Sequence, residues 1–483
     1  MGNSTTRALG CLFAVLVGMA GCAQIPADHD TLLQQDLAGV QLAANIKLAR
    51  DGWPEAQWWR SYGDEQLNRL IGDALRDGPT LQAAAARIGS ARAALTLDSA
   101  DRGMNVVLNA TTNRQRYSAN GLLPAPIAGS YFTESKLQVS ANYDFDWWGR
   151  HRSLIAAAVG EVNARQAEYA QAEQTLAAAV AQSYFNLQMA WTRLANLQEI
   201  RAVQSELVAD KVKRIVNGLA SIDEQRAAEA DLTNLNKQYA ALDAQTGRER
   251  EALRALLGAD STALADLTPH PIPDTPHALP SALGIELLAR RPDLQAARWR
   301  VEASLGRVEA TQAAFYPDIN LTGLFGFDAL ALDKLLAAAS RTPFIGPTLS
   351  LPLFDSGRLQ ARLGAARTQR NEMIADYNQS VFKAVRDVAQ EAVALRGLEI
   401  QIKEQAATAE ATNALLRSAR ARFKQGLADR SAVLTARLAV LKQQDAKLDL
   451  KSQELLAEVT LIKALGGGFR AQQAAADAEL SQK

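Results

Sequence analysis

Residues 143–150 read Tyr143-Asp144-Phe145-Asp146-Trp147-Trp148-Gly149-Arg150, and residues 354–358 read Phe354-Asp355-Ser356-Gly357-Arg358. In both places an alternating apolar/polar run stops at Gly-Arg, and a proline-free stretch with helical periodicity begins. The match continues downstream. Val180-Ala181-Gln182 recurs as Val388-Ala389-Gln390, Gly218-Leu219-Ala220 as Gly426-Leu427-Ala428, and Leu257-Gly258 as Leu465-Gly466, all at the one offset of 208 residues that separates the Gly-Arg pairs. Upstream, Leu81-Gln82-Ala83-Ala84 recurs as Leu294-Gln295-Ala296-Ala297 at an offset of 213. The chain is a duplication of a unit of about 200 residues, too long for a solenoid repeat.

Each copy has the same order of elements. A helix spans about Leu67 to Ala100, or Leu283 to Phe315. A strand pair follows, placed at about 105–147 and 318–356. A very long helix runs from Gly149 to Asn217, or Gly357 to Gln425. A shorter one runs from about Ala220 to Leu257, or Ala428 to Leu465. No proline occurs between Ile127 and Thr268 or after Leu353, and interior proline costs a helix about 3 kcal/mol. Apolar residues recur every three or four positions at Leu176, Val180, Tyr184, Leu187, Trp191 and Leu194. The second copy repeats this at Val381, Val385, Val388, Ala392, Leu395 and Leu398. This is the buried stripe of a packed helix. At 1.5 Å per residue the long helix would extend about 100 Å, more than a compact domain uses. Gly218 and Gly426 end these helices as left-handed C-terminal glycines would. The divisions are then residues 1–21, 22–66, a first repeat 67–258 with its helical hairpin at 149–258, a Pro-rich linker 259–282, a second repeat 283–466 with its hairpin at 357–466, and a tail 467–483.

Leu137, Val139, Ala141, Tyr143 and Phe145 alternate with polar residues, and Leu349, Leu351 and Leu353 do the same. Ile319 to Thr322 begins the partner of the second pair. Asn105 to Tyr117 is the weakest of the four strands, and its end, Asn113-Arg114-Gln115-Arg116, is a poor match to lipid. Four strands cannot close a barrel, and open edges are not tolerated in a bilayer. Either the strands form a soluble sheet or several chains share one barrel; three chains would supply twelve strands. Ala119–Ser130 and Ala329–Thr342 would then be the outer loops. Trp147 and Trp148 fit two readings, a membrane-interface girdle or packing at the base of the long helix.

Composition narrows the function. Lys+Arg and Asp+Glu are equal at 52 each, so a nucleic-acid binder that relies on a basic surface is excluded. Two cysteines cannot build a disulfide framework. Ninety-two alanines suit closely packed helices. The first 22 residues contain one charge, Arg7, before an apolar run from Ala8 to Ala20 of signal-peptide length. The run ends in Met19-Ala20-Gly21-Cys22, which has the pattern of a bacterial lipobox with Cys22 as the lipidated residue. A plain secretory signal is the alternative, and Met1-Gly2 with Thr6 also satisfies the weaker myristoylation pattern. No other stretch is apolar enough to cross a bilayer as a helix. The four histidines, His29, His151, His270 and His277, have no metal-site spacing. There is no phosphate-binding glycine loop, dinucleotide fingerprint or nucleophile elbow. The chain is expected to be neither an enzyme nor a cofactor or metal binder.

Trp58-Trp59 with Asp64 and Leu67, Pro79 with Leu81-Gln82-Ala83, Tyr143 to Arg150, Arg290-Arg291-Pro292-Asp293-Leu294, Tyr316-Pro317, Phe354 to Arg358 and Gly426-Leu427 together resemble the TolC-like outer membrane efflux proteins. Within these the chain is most similar to the NodT-type lipoproteins that serve resistance-nodulation-division (RND) pumps. It departs at Gly78-Pro79-Thr80, where Asn-Pro-Asp is usual, and in lacking a proline before its first strand. The resemblance implies a mainly α protomer with a β membrane part, internally duplicated. As a homotrimer it would form a twelve-stranded outer-membrane β-barrel continued by a twelve-helix periplasmic α-barrel. An equatorial belt would draw on Ile25–Tyr62, Pro269–Pro280 and the tail. The partners implied are outer-membrane lipid, a periplasmic membrane-fusion adaptor and an inner-membrane RND transporter, with no cofactor and no nucleic acid. Gly218, Leu219, Gly426 and Leu427 would meet the adaptor. Asp429 and Arg430 are candidates for the periplasmic gate, and Asp429 alternatively caps the helix that follows it. Drug efflux is the implied function. Protein secretion through the same kind of duct, or a lipid-anchored scaffold without a channel, are the alternatives.

Overall fold

The computed structural model describes residues 25–36, 46, 52–260, 262–274, 280 and 284–470. Cys22 with the signal segment, His277 and the end of the tail lie outside the described residues. A short 3-10 turn at Trp58–Tyr62 precedes α1 (Glu65–Asp77), α2 (Pro79–Asp101), β1 (Asn105–Arg116), β2 (Tyr131–Asp144), α3 (Arg150–Val216) and α4 (Ile222–Leu257). The second half gives α5 (Gly284–Arg290), α6 (Pro292–Ala313), β3 (Asp318–Ala329), β4 (Phe344–Ser350), α7 (Arg358–Lys424) and α8 (Arg430–Ala464). The two long helices, α3 and α7, have the same length, 67 residues.

The first helix of each copy is broken where the periodicity alone suggests continuity. Gly78, in the extended conformation that precedes proline, separates α1 from α2, and Arg291 separates α5 from α6. Pro79 and Pro292 occupy first-turn positions, where the missing N–H costs nothing and the fixed φ suits a helix start. Each proline therefore opens a new helix.

Residues fall into two compact units, and each draws on both halves of the sequence. The first contains the strands and the ends of the helices that flank them (within Met1–Gln34, Ile88–Arg165 and Ala297–Tyr377). Its sheet has the order β1-β2-β3-β4, antiparallel throughout. Val139 sits between Leu108 and Phe325, and Leu321 is opposite Pro347. Small residues let the helices pack closely here: a Cβ on Gly306 would lie 2.7 Å from the Ser153 carbonyl oxygen. The extended N-terminal segment is strapped to α7. Arg367 donates to the carbonyls of Pro26 (2.7 Å) and Ala27 (3.0 Å), and the buried Arg370 pairs with Asp28 at 2.5 Å. Asn371 donates to the Asp30 carbonyl, and Ile25 packs on Val308, Phe315 and Leu363.

The second unit holds the larger core, and it is built on the stripe read from the sequence. Leu176, Val180, Tyr184 and Leu187 of α3 are at most 3% exposed. They pack with Trp58, Trp59, Leu67, Leu70 and Ile71, with Leu253 and Leu257 of α4, and with Leu455 and Val459 of α8. Full burial of such side chains stabilises by roughly 2 kcal/mol each. Asp64 sits at the junction. One carboxylate oxygen accepts the N–H groups of Gln66 (2.9 Å) and Leu67 (3.1 Å), capping α1, and the other accepts the Tyr184 hydroxyl at 2.6 Å. Burial, and then the Asp64 carboxylate, push the Tyr184 hydroxyl well above its ordinary pKa, so it stays a donor. The buried Arg291 makes a bidentate pair with Asp293 (2.9 and 2.6 Å) and donates to the carbonyl of Ala464 at 3.0 Å, tying α6 to the end of α8. Gly466 must be glycine: its φ is +93°, and a Cβ would lie 1.9 Å from the Arg290 carbonyl oxygen.

Tyr184→Phe leaves one oxygen of a buried carboxylate without its donor and is expected to lower stability by about 1–3 kcal/mol. Asp64→Ala also removes the cap and should cost about 1 kcal/mol more. Denaturant unfolding of the detergent-solubilised protein measures both. The strap is pH-sensitive in one direction. The hydrogen bond from Arg370 holds Asp28 below its ordinary pKa, so its contribution is present at neutral pH and lost as pH falls through the lowered value. Proteolytic cleavage within residues 25–36 should rise on acidification, and Arg370→Gln should give that rise at neutral pH.

Candidate functional site: the sheet faces and the helical tips

Strand alternation gives the sheet two chemically distinct faces. On one lie Val106, Leu108, Val139, Phe325, Ile345 and Leu349, all between 40% and 76% exposed. The opposite face carries Asn109, Gln138, Ser140, Asn142 and Thr322. There the Lys136 ammonium joins Glu134 (3.0 Å) and Asp328 (3.6 Å) across two strands. A sheet with a polar core-side face and a wet apolar face would be inverted for a soluble protein, and a bilayer reverses that judgement. The outer edges of β1 and β4 have no partner strand among the described residues. No helix among the described residues is long and apolar enough to cross a membrane.

Where the sheet gives way to α3, the two tryptophans differ in their contacts. Trp148 packs: its ring stacks on Tyr316 at 4.6 Å, and its indole N–H donates to the Pro317 carbonyl at 2.8 Å. Trp147 stays 63% exposed beside Phe145. Asp146 caps α3 by accepting the N–H groups of His151 and Arg152, and the His151 ring contacts Asp144 at 2.9 Å. His270 is held through its backbone N–H by Gln188. Among the described residues no group of His, Cys, Asp and Glu could hold a metal ion.

In the second unit, both helical hairpins turn on glycine. Gly218 (φ +67°) and Gly426 (φ +73°) are left-handed, and the next N–H groups, of Leu219 and Leu427, return to the carbonyls of Arg214 and Arg422 at 2.7 and 2.8 Å. The leucines are 65% and 73% exposed. Asp429 is the N-cap of α8, accepting the Ala432 N–H at 2.8 Å. Its other oxygen is paired with Arg214 of the first hairpin. Arg430 pairs with Glu206 at 2.9 Å, and the buried Ser431 hydroxyl donates to Asp210 at 2.6 Å. Lys211 and Glu224 pair across the first hairpin, and that bond holds Glu224 below its ordinary pKa. Higher on α3, Arg193 is bidentate to Asp445 (3.1 and 2.9 Å) and reaches Asp449 at 2.9 Å.

The sequence singles out Asp429 and Arg430 but not their partners. The signal was present: Glu206, Asp210 and Arg214 are spaced by four, which puts them on one helical stripe. That stripe meets Arg430, Ser431 and Asp429 in turn. Within one protomer, capping and ion pairing coexist at Asp429, since its two oxygens serve different donors.

The family model for outer membrane efflux proteins matches residues 70–259 and 283–467. The chain is 39% identical to the multidrug resistance outer membrane protein MdtP of Escherichia coli (strain K12), over 94% of each chain. It is 36% identical to MdtQ, a multidrug resistance outer membrane protein of Escherichia coli O157:H7, over 97% of this chain and 99% of that one. Among solved structures, the outer membrane protein VceC of Vibrio cholerae is 30% identical with a TM-score of 0.79, over 86% of this chain and 100% of VceC. The CmeC outer membrane channel of Campylobacter jejuni, at 22% identity, shares the fold with a TM-score of 0.83, over 95% of this chain and 98% of that one. The fold is that of the TolC-like channels, and the chain belongs to the outer membrane efflux protein family, whose members are channels of the outer membrane and not enzymes.

Proposed function

We propose that this chain is the outer-membrane duct of a tripartite pump, a passive conduit that exports drugs and other small toxic compounds. The observation that carries the reading is the sheet: four strands with two open edges and an exposed apolar face. In lipid every backbone group must be paired. Three copies satisfy this by joining β4 of one to β1 of the next, giving twelve strands with the apolar face outward and the polar face lining a lumen. The helices of three copies then form the periplasmic α-barrel. Cys22 carries the lipid anchor. An inner-membrane RND-type transporter supplies the energy, and a membrane-fusion adaptor meets the tips at Gly218, Leu219, Gly426 and Leu427. The names of the MdtP and MdtQ relatives favour drugs over proteins as cargo.

Asp429 and Arg430 gate the duct in this reading, together with Arg214. The ion pairs of Asp429 with Arg214 and of Arg430 with Glu206 hold the start of α8 against α3. Moving one hairpin outward must break them; they lie at the end of the apolar cluster that holds Leu207 and Leu434, and a pair as exposed as Arg430–Glu206 contributes only about 0.2–1 kcal/mol. Such a latch is weak enough for adaptor binding to release.

Purified protein in planar bilayers should give small, rarely open currents. Asp429→Ala and Arg214→Ala should each raise open probability about fivefold, which corresponds to a latch of about 1 kcal/mol. Unchanged currents in both variants would move the gate elsewhere, and silence from a verified wild-type trimer would end the channel reading. Leu427→Asp at the tip should leave bilayer currents unchanged while abolishing adaptor capture and drug resistance in cells. Retained resistance would remove Leu427 from the adaptor contact.

A further inference from the structure

The loop end of the sheet carries a charge asymmetry that conduction does not use. β1 continues to Arg116 in unbroken register, so Arg114 and Arg116 fall on the same face as Val106 and Leu108, the apolar face. Across the sheet, Arg341 is bridged to Phe327 in the register that continues β4, which places it on that face as well. All three are exposed. Among the described residues none of them is paired with a carboxylate. The Arg114 guanidinium lies over the exposed Tyr131 ring at 5.7 Å, and Arg116 Nε donates to the Gly129 carbonyl at 3.2 Å. The polar face at the same end behaves oppositely, since Lys136 is compensated twice over by Glu134 and Asp328. The apolar face at the helix end of the sheet, around Val106, Tyr143, Ile319 and Leu349, has no charged residue at all.

Placement decides what such arginines are for. An arginine on the lipid face is costly at mid-bilayer and nearly neutral at the interface. Three on the lipid face of one protomer, all toward its loop end, therefore belong at the outer interface. Tyr131 beneath Arg114 is the amphipathic ring expected at that level. In a closed barrel β4 adjoins β1 of the next copy, so Arg341 of one protomer lies on the seam side facing Arg114 and Arg116 of its neighbour. Guanidinium groups recognise phosphate by paired N–H donors, and a carboxylate-free cluster at a membrane surface selects anionic headgroups. The leaflet at that level in a Gram-negative outer membrane is built from phosphorylated glycolipid.

We infer that Arg114, Arg116 and Arg341 form a binding site for the phosphate groups of outer-leaflet glycolipid, of the lipid A type, at the barrel's outer rim. The inference rests on the barrel reading above. Each bound lipid would bridge two protomers through its phosphates, so the site also staples the β4–β1 seam from outside.

Full-length protein in detergent, titrated with purified bisphosphorylated lipid A and with its dephosphorylated form, tests this by native mass spectrometry. The wild type should prefer the phosphorylated form by about tenfold or more, as charge-assisted bonds to phosphate require. The triple variant R114Q/R116Q/R341Q should lose that preference yet keep its trimer and its bilayer currents. A preference that survives in the variant, or is absent from the wild type, overturns the inference. Equal binding of phosphatidylglycerol by the wild type overturns the assignment to outer-leaflet glycolipid, and displacement by millimolar inorganic phosphate reduces the site to a free-anion site. The two readings fail separately. A wild type without trimer or current defeats the barrel, whereas a conducting trimer indifferent to lipid phosphorylation defeats only this site.

Discussion

Backbone hydrogen bonding at the outer edges of β1 and β4 is the constraint on which the rest depends. Among the described residues of one chain those edges face no strand, while the same sheet exposes valine, leucine, isoleucine and phenylalanine on one face. In water the arrangement would aggregate. In lipid it would leave a row of unpaired amides, each costing several kcal/mol. A single protomer is therefore not a finished object in either solvent. Closure with further copies satisfies the edges and gives the apolar face its lipid at one stroke. The pairing Lys136 makes with Glu134 and Asp328 on the opposite face fits the same picture, since a charge cluster is tolerable where water fills a lumen.

The second unit solves a different problem. Its core lies along α3, where Tyr184 and the leucines around it are dry, and Asp64, Tyr184 and Arg291 enter it as tied polar groups. Asp64 serves a helix cap and a buried hydroxyl with its two oxygens, and Arg291 spends its donors on one carboxylate and on a helix-end carbonyl. Near the tips the character changes. The apolar cluster of Val203, Leu207, Leu434 and Leu438 is bordered by side-chain ion pairs and hydrogen bonds between α3 and α8, with the exposed Leu219 and Leu427 left at the turns. Hydrophobic packing extends along the hairpins as far as the cluster of Leu207 and Leu434, and charge pairs close the last turns.

Much of this was legible in the sequence because the determinants are periodic. The duplication appears as one repeated offset, the wall helices as proline-free stripes, and the strands as alternation. The turn glycines are readable because Gly218 and Gly426 need positive φ. The breaks at Gly78-Pro79 and Arg291-Pro292 were hidden by uninterrupted apolar periodicity, though a proline at a first-turn position marks each of them. The partners of Asp429 and Arg430 come from the other repeat, more than two hundred residues away. No local pattern announces that pairing. Only the spacing of Glu206, Asp210 and Arg214 hints that a polar stripe on α3 awaits something. The strap of residues 25–36 on α7 is non-local in the same way: Arg370 looks like any surface arginine until Asp28 is placed beside it.

The arginines at the loop end mark the limit of alternation as a guide. Asn113-Arg114-Gln115-Arg116 reads as the point where a strand stops suiting lipid, and β1 nevertheless runs through all four residues in register with β2. What changes there is the solvent. A strand crossing from hydrocarbon into a phosphate-rich surface should exchange branched aliphatics for groups that bind anions, without altering its geometry. Charge on an apolar face is then no defect in the pattern. In the barrel reading it would mark the depth at which hydrocarbon gives way to headgroups, beyond the apolar positions Val106, Leu108 and Val139.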